Sequence, residues 1–235
     1  VKHTRVDKLP TVLDFAFARA VADTVAGPVG TDTFTRLFDN DVLYEGGAAT
    51  ALQLPTFLSN HDGGRFAHFV RNANPQASDD EVLKRVILGH AMLLTLRGVP
   101  TIYSGDEQGF AGDGGDQDAR EDMFASNVVS YNDNKLVGTT ATTAQSNFDQ
   151  KHPLYLVLAK LSALRLSTPA LTRGKQLIRN YEEKPGLFVV SRIDPTTGRE
   201  VLVAFNTSTK AITRNVEVST SSVNFQSLHG ACGAN

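Results

Sequence analysis

Apolar positions along the chain follow two different rhythms. From Asp79 to Arg97, residues Val82, Leu83, Val86, Ile87, Leu93 and Leu94 recur at three-to-four-residue spacing, which predicts a helix with one buried face. Ser78 and Glu81 form a capping-box pair at its start, and Gly98 followed by Pro100 marks its end. The same rhythm runs through Leu154, Val157, Leu158, Leu161 and Leu164, behind a proline at position 153 suited to a first helical turn. A further helical stretch is predicted from Ala16 to Ala26, stopped by Gly27-Pro28.

Between these helices lie short apolar runs of strand length: Val12 to Phe15, Leu52 to Leu58 and Val99 to Tyr103. The order from Leu52 to Tyr103 is strand, long connection, helix, strand, the pattern of a parallel βαβ unit. Residues 31–47 read as irregular or weakly helical. The stretch Gly109 to Ser146 is rich in Gly, Asp and Asn and is long for a loop in a compact domain, which marks it as ligand-facing. After Pro169 the rhythm changes to short strands: Gln176 to Tyr181, Leu187 to Ile193, Glu200 to Asn206 and Ala211 to Val218. Turns such as Lys184-Pro185-Gly186 separate them, so an antiparallel sheet or sandwich is expected, with a boundary between Pro169 and Gly174.

Composition narrows the function classes only a little. The chain has 235 residues, a formal net charge of -2 and 41% hydrophobic residues, enough for one large domain or two small ones. Near-neutral charge gives no support to a nucleic-acid partner. No window approaches the roughly 18 uninterrupted apolar residues of a membrane span. Cys232 is the only cysteine, so no internal disulfide is available. The first residue is Val1 and no signal pattern follows it, so the chain is expected to begin in mid-protein.

In parallel α/β architectures functional residues gather at the C-terminal ends of strands. Two of the predicted strands end in polar clusters. In Asn60-His61-Asp62-Gly63-Gly64-Arg65, a carboxylate that binds hydroxyls or stabilises positive charge, an imidazole and a guanidinium can face one cavity; the same residues can also be a capped polar turn. In Gly105-Asp106-Glu107-Gln108-Gly109, the adjacent carboxylates face opposite ways on extended backbone, so one is expected to point at the cavity and the other to support the loop, with a structural role favoured over an acid/base pair. Asp113 to Asp118 has the wrong spacing for a helix–loop–helix calcium site and is expected to be a flexible loop pinned by Arg120 and Asp122. His3 and His90 look isolated, and His90 is expected to pack within its helix. Zinc spacing, a phosphate loop, a dinucleotide fingerprint and a nucleophile elbow are all absent from the sequence.

Four of these segments together resemble one family. Phe57-Leu58-Ser59-Asn60-His61-Asp62 is similar to the Phe-x-x-Asn-His-Asp strand end of glycoside hydrolase family 13, the α-amylase family. Gly98 to Glu107 resembles that family's last barrel strand, and Leu9 to Phe15 its sixth. Asp116, Arg120, Met123 and Phe124 resemble the loop after the last strand, and the β-rich tail resembles the C-terminal domain.

The resemblance implies an α/β fold: the C-terminal part of a (β/α)8 TIM barrel, about strands 6 to 8, in residues 1–172, then an antiparallel β-sandwich domain in residues 173–235. It implies a retaining glycoside hydrolase acting on α-1,4-glucans, in which Asp62 stabilises the transition state with His61 beside it. Asn60, His61, Asp62 and Arg65 are the expected substrate-binding residues. The nucleophile Asp and the acid/base Glu have no counterpart here, so the segment alone is expected to be inactive. It is also expected to be poorly soluble, because a full barrel takes about 250 residues. A transglycosylase or isomerase of the same family, acting on sucrose, trehalose or maltose, is an alternative, as is a non-catalytic binding subunit. The expected partner is an α-glucan oligosaccharide or starch, with neither nucleic acid nor membrane. The segment requires no cofactor, any Ca2+ belongs to the upstream part, and a secreted or periplasmic location follows from the family.

Overall fold

The structure is a computed structural model that describes residues 1–230. A short α1 (Lys2–Arg5) precedes α2 (Phe15–Val21), which runs on as a π-helical turn over Ala22–Ala26. The strand expected at Val12–Phe15 is instead chain without a ladder up to Asp14, and Phe15 opens α2. It touches its neighbour through Asp14 N–H, which donates to the Pro55 carbonyl at 2.9 Å, and through the Thr11 hydroxyl, which donates to the Gln53 carbonyl. Asp14 then caps α2 by accepting from Phe17 N–H at 3.0 Å, so the helix begins before a second strand bond can form. Residues 31–47 are more regular than expected: α3 (Thr33–Asp39) leads into a 3-10 turn at Asn40–Leu43.

After α4 (Ala48–Ala51) comes β1, laddered only over Pro55–Thr56, and its partner β2 covers only Val99–Pro100. Both are shorter than the hydrophobic runs that announced them. They pair in parallel, Pro55 with Val99 and Thr56 with Pro100, as the βαβ reading requires. The helical connection is α5 (Phe66–Ala73) followed by α6 (Asp79–Thr95). Ser78 caps α6 by accepting from Glu81 N–H at 3.2 Å, but the reciprocal half of the box is missing. Glu81 instead accepts two bonds from Arg85, at 3.0 and 2.8 Å, because an (i, i+4) arginine outcompetes a backbone N–H for the carboxylate. The long loop holds one short helix, α7 (Val129–Asn132), and a 3-10 turn at Asp116–Ala119. Next come α8 (Pro153–Ser167) and α9 (Pro169–Arg173), both with proline at the first turn.

The tail forms a three-stranded antiparallel sheet: β3 (Lys175–Asn180), β4 (Leu187–Ile193) and β5 (Glu200–Asn206), in that order. Residues 211–218, expected as a fourth strand, have no strand structure, and a second sheet to complete a sandwich is not present among the described residues. Residues 231–235 of the expected tail domain, Cys232 among them, lie outside the described residues. The inner face of the sheet packs straight onto the helices. Phe188 stacks on Phe34 with ring centroids 4.7 Å apart, and Phe188, Val190 and Phe205 share one buried cluster with Phe17, Phe66 and Leu93. Burying side chains of this size stabilises by about 1.5–3 kcal/mol each, so the sheet and the helical layer support one another across residues 169–174.

Candidate active site at the end of the first parallel strand

Asn60 begins a tight loop directly beyond β1. Its side-chain Oδ1 accepts from Asp62 N–H at 2.9 Å and from Gly63 N–H at 2.6 Å. Its backbone exchanges bonds with Gly64, N–H to O in both directions, at 3.3 and 3.2 Å. Asparagine suits this role because its short amide reproduces a backbone turn. Asn60 therefore shapes the loop, with its amide oxygen accepting both local bonds.

The loop lifts His61 and Asp62 into solvent. Their side chains are 62% and 68% exposed, with His61 Nε2 3.3 Å from Asp62 Oδ1. Asp62 stands on open surface rather than in the walled pocket a sugar site calls for. The long loop approaches from the other side: Asp62 O accepts from Asp116 N–H at 3.0 Å, and Arg120, paired with Asp116, points its Nε at the His61 carbonyl, 3.5 Å away. This approach is possible only at glycine. A Cβ on Gly115 would sit 2.7 Å from Asp62 O, and one on Gly64, which has φ +108°, would sit 2.6 Å from Gly114 O.

Arg65 does not reach the surface. Its side chain is 0% exposed, which removes it from direct substrate contact. Its Nε donates to Glu121 at 2.9 Å, and its Nη1 donates to the Ser104 carbonyl at 2.6 Å and to Asp106 at 3.1 Å. The guanidinium carbon lies 4.2 Å from the Tyr103 ring centroid and 5.2 Å from that of Phe110, both within cation–π range. Arg65 thus ties the end of the Asn60 loop to the chain beyond β2 and to the long loop. Burial pushes the Glu121 carboxyl above its ordinary value, and Asp106 adds to this, while Arg65 and the Gly112 N–H pull it down.

The remaining candidates fall into place around this arginine. Asp106 is buried against Arg65, and Glu107 accepts from Gly105 N–H at 3.0 Å, so both carboxylates support the turn, where one was expected to face the cavity. His90 packs edge-on to Phe66 and bonds the Val86 carbonyl at 2.8 Å, and its other ring nitrogen lies 3.7 Å from Asp106. The long loop is pinned by Arg120 as expected, but its buried anchor is Glu121, where Asp122 was expected. Asp122 only accepts locally from Phe124 N–H. Sequence reading missed Glu121 because it is one acid in an acid-rich loop, 56 residues from its partner.

With this geometry in view, comparison with known proteins is informative. The model of the α-amylase catalytic domain matches residues 5–163. An α-amylase of Streptomyces lividans is 37% identical over 223 residues, 95% of this chain and 24% of that protein. A cyclomaltodextrin glucanotransferase of Niallia circulans is 32% identical over 186 residues, 75% of this chain and 21% of that protein. The chain therefore spans about a quarter of the curated relatives it matches. Among solved structures, an Anoxybacillus α-amylase superposes with a TM-score of 0.65 at 21% identity, covering 86% of this chain and 37% of that one. The parallel βαβ unit, the strand-end loop and the matched sequence agree: the chain belongs to the α-amylase family, glycoside hydrolase family 13.

Proposed function

We propose that this chain is the C-terminal part of a retaining α-1,4-glucan hydrolase. Residues 1–172 supply about strands 6 to 8 of a (β/α)8 barrel, and residues 173–235 a C-terminal β domain. The observation that carries the reading is the exposed His61–Asp62 pair at the end of β1, held by an asparagine-capped loop. Retaining glycosidases need two close carboxylates and pass through an oxocarbenium-like transition state. Those two carboxylates, the nucleophile Asp and the acid/base Glu, come from strands upstream of these residues. Asp62 is the third carboxylate. It binds ring hydroxyls more tightly as the sugar flattens, which lowers the barrier selectively. His61 orients Asp62 and donates to a neighbouring substrate oxygen. The open surface around the pair becomes a cleft when the loops of the other strands surround it.

The cyclomaltodextrin glucanotransferases among the relatives favour a second outcome, transfer of the glycosyl group to another sugar instead of to water. Products formed from soluble starch, maltose and sucrose separate the two. Any calcium ion belongs to the upstream part, and a secreted or periplasmic location accords with starch as substrate. In the complete enzyme, Asp62→Asn lowers kcat at least about 100-fold, the scale of removing one group that stabilises a transition state. A variant that keeps most of its turnover would remove Asp62 from the mechanism.

A further inference from the structure

At the far end of α6 from its serine cap, three arginines converge on the chain between Leu94 and Gly98. Arg165 donates from Nη1 to the carbonyls of Leu94 and Leu96, at 2.9 and 3.2 Å, and from Nη2 to that of Gly98 at 2.5 Å. Arg192, from β4, donates from Nη1 to the Thr95 carbonyl at 2.9 Å and from Nη2 to the Gly174 carbonyl at 3.1 Å. Arg97 itself turns away and pairs with Asp14 and Asp41. Carbonyls at a helix C-terminus carry partial negative charge and welcome such cations.

The charges do not balance. Arg165 and Arg192 are 7% and 0% exposed, and among the described residues neither has a carboxylate within ion-pair distance. Three buried cations face two carboxylates, which leaves one positive charge in excess in a low-dielectric interior, an arrangement proteins ordinarily avoid.

Two buried donors at this spot also lack an acceptor: Arg192 Nε and Gln176 Nε2. Gln176 and Arg192 are direct cross-strand partners on β3 and β4, so their side chains leave the same face of the sheet side by side. Both reach the same turn, since Gln176 Oε1 accepts from Arg97 N–H at 2.9 Å, two residues from the carbonyl that Arg192 binds. That bond fixes the amide orientation: a flipped amide would set two donors against each other. The free N–H of Gln176 therefore stays beside Arg192.

Two unpartnered donors and one uncancelled positive charge in a closed place call for a compact acceptor that is negatively charged. We propose that Gln176 Nε2 and Arg192 Nε form a buried site for a small monovalent anion of the halide class. Two donors on neighbouring strands match a single compact acceptor better than the several oxygens of a polyatomic oxyanion. The Arg192 guanidinium is already under strain here: burial first, then Arg165 and Arg97, push it down from the usual arginine range to about 9. An anion relieves that repulsion and fastens the sheet to the end of α6. The site is independent of the chemistry at Asp62.

The test is thermal unfolding of the full chain in sodium chloride, sodium bromide and sodium gluconate at equal ionic strength and neutral pH. Chloride and bromide should raise Tm saturably over gluconate, by about 5–10 °C once the halide exceeds its Kd a hundredfold. Gln176→Glu keeps the acceptor for Arg97 N–H and sets a built-in carboxylate beside Arg192. It should raise Tm in gluconate and abolish the halide response. Arg192→Met should abolish the response as well. Equal Tm values for the unaltered chain in all three salts would overturn the proposal, leaving a neutral water as the acceptor. A halide response that survives in Gln176→Glu would overturn it too.

Discussion

Arg65 and Arg192 are both fully buried and have opposite surroundings. Arg65 sits between two carboxylates, a carbonyl and two aromatic rings, beneath the loop that carries His61 and Asp62. Arg192 sits among carbonyls, with other arginines for neighbours, where the sheet meets α6. The first is a clamp between three segments distant in sequence, and its charge is over-compensated. The second fastens two layers of one core and carries a charge that no carboxylate among the described residues cancels. Burial alone therefore does not define what an arginine contributes. The identity of its acceptors decides whether removing it strands negative charge or relieves positive charge.

That contrast can be broken or sharpened by experiment. The largest expected effect is from Arg65→Met, which leaves Asp106 and Glu121 buried without their cation and should cost about 3–5 kcal/mol in denaturant unfolding. A loss below about 1 kcal/mol would mean that the clamp is dispensable. Arg192→Met removes two bonds to carbonyls but also relieves repulsion, so about 1–2 kcal/mol is expected. If it costs as much as Arg65→Met, the two arginines are equivalent and the comparison fails. Gly115→Ala tests the approach of the long loop to the Asn60 turn. Its new Cβ meets the Asp62 carbonyl at 2.7 Å, and a stability loss of about 1–3 kcal/mol is expected, with weaker substrate binding in the complete enzyme.

The smallest effects are in pH dependence, and two glutamates should respond with opposite sign. Glu121 has its carboxyl raised, chiefly by burial. In the window between its ordinary and its raised value the folded chain binds more protons, so its contribution to stability grows as pH falls through that window. Glu200 is also penalised by burial, but bonds from Ser191, Ser222, Ser219 N–H and Arg179 outweigh that and bring it down to about 2. Its contribution is complete above the ordinary glutamate value and is lost as pH falls from there toward about 2. Denaturant midpoints measured from pH 7 to 2 should lose the acid-side rise in Glu121→Gln and the acid-side fall in Glu200→Gln. Identical profiles for both variants would show that hydrogen bonding does not separate the two sites.

The elements readable from local pattern are those whose determinants are local. Ser78 with the apolar stripe of α6, and Pro153 ahead of α8, place both helices, because a helix satisfies its backbone within itself. The strands at 175–206 were also readable, because each has its partner a turn away. Barrel strands were readable as hydrophobic runs but not as ladders. Their hydrogen bonds depend on neighbours far along the chain, and only β1 and β2 meet such a neighbour here. Leu13 and Phe15, each 55% exposed, show what the missing contact leaves behind. Residues 211–218 carry apolar positions in a strand-like pattern, yet they form no ladder with the free edges of β3 or β5.

By itself, then, the sequence determined the family, the order of helices and strands, and the strand end at which Asn60, His61 and Asp62 stand. These depend on residue spacing of a few positions, the range over which backbone geometry acts. Tertiary structure decided that Arg65 is a buried clamp, and that Arg192 and Gln176 share an unanswered pair of donors. Those roles depend on charges and donors brought together from 16 to 97 residues apart, and desolvation, which sets their energies, exists only once the chain has folded around them.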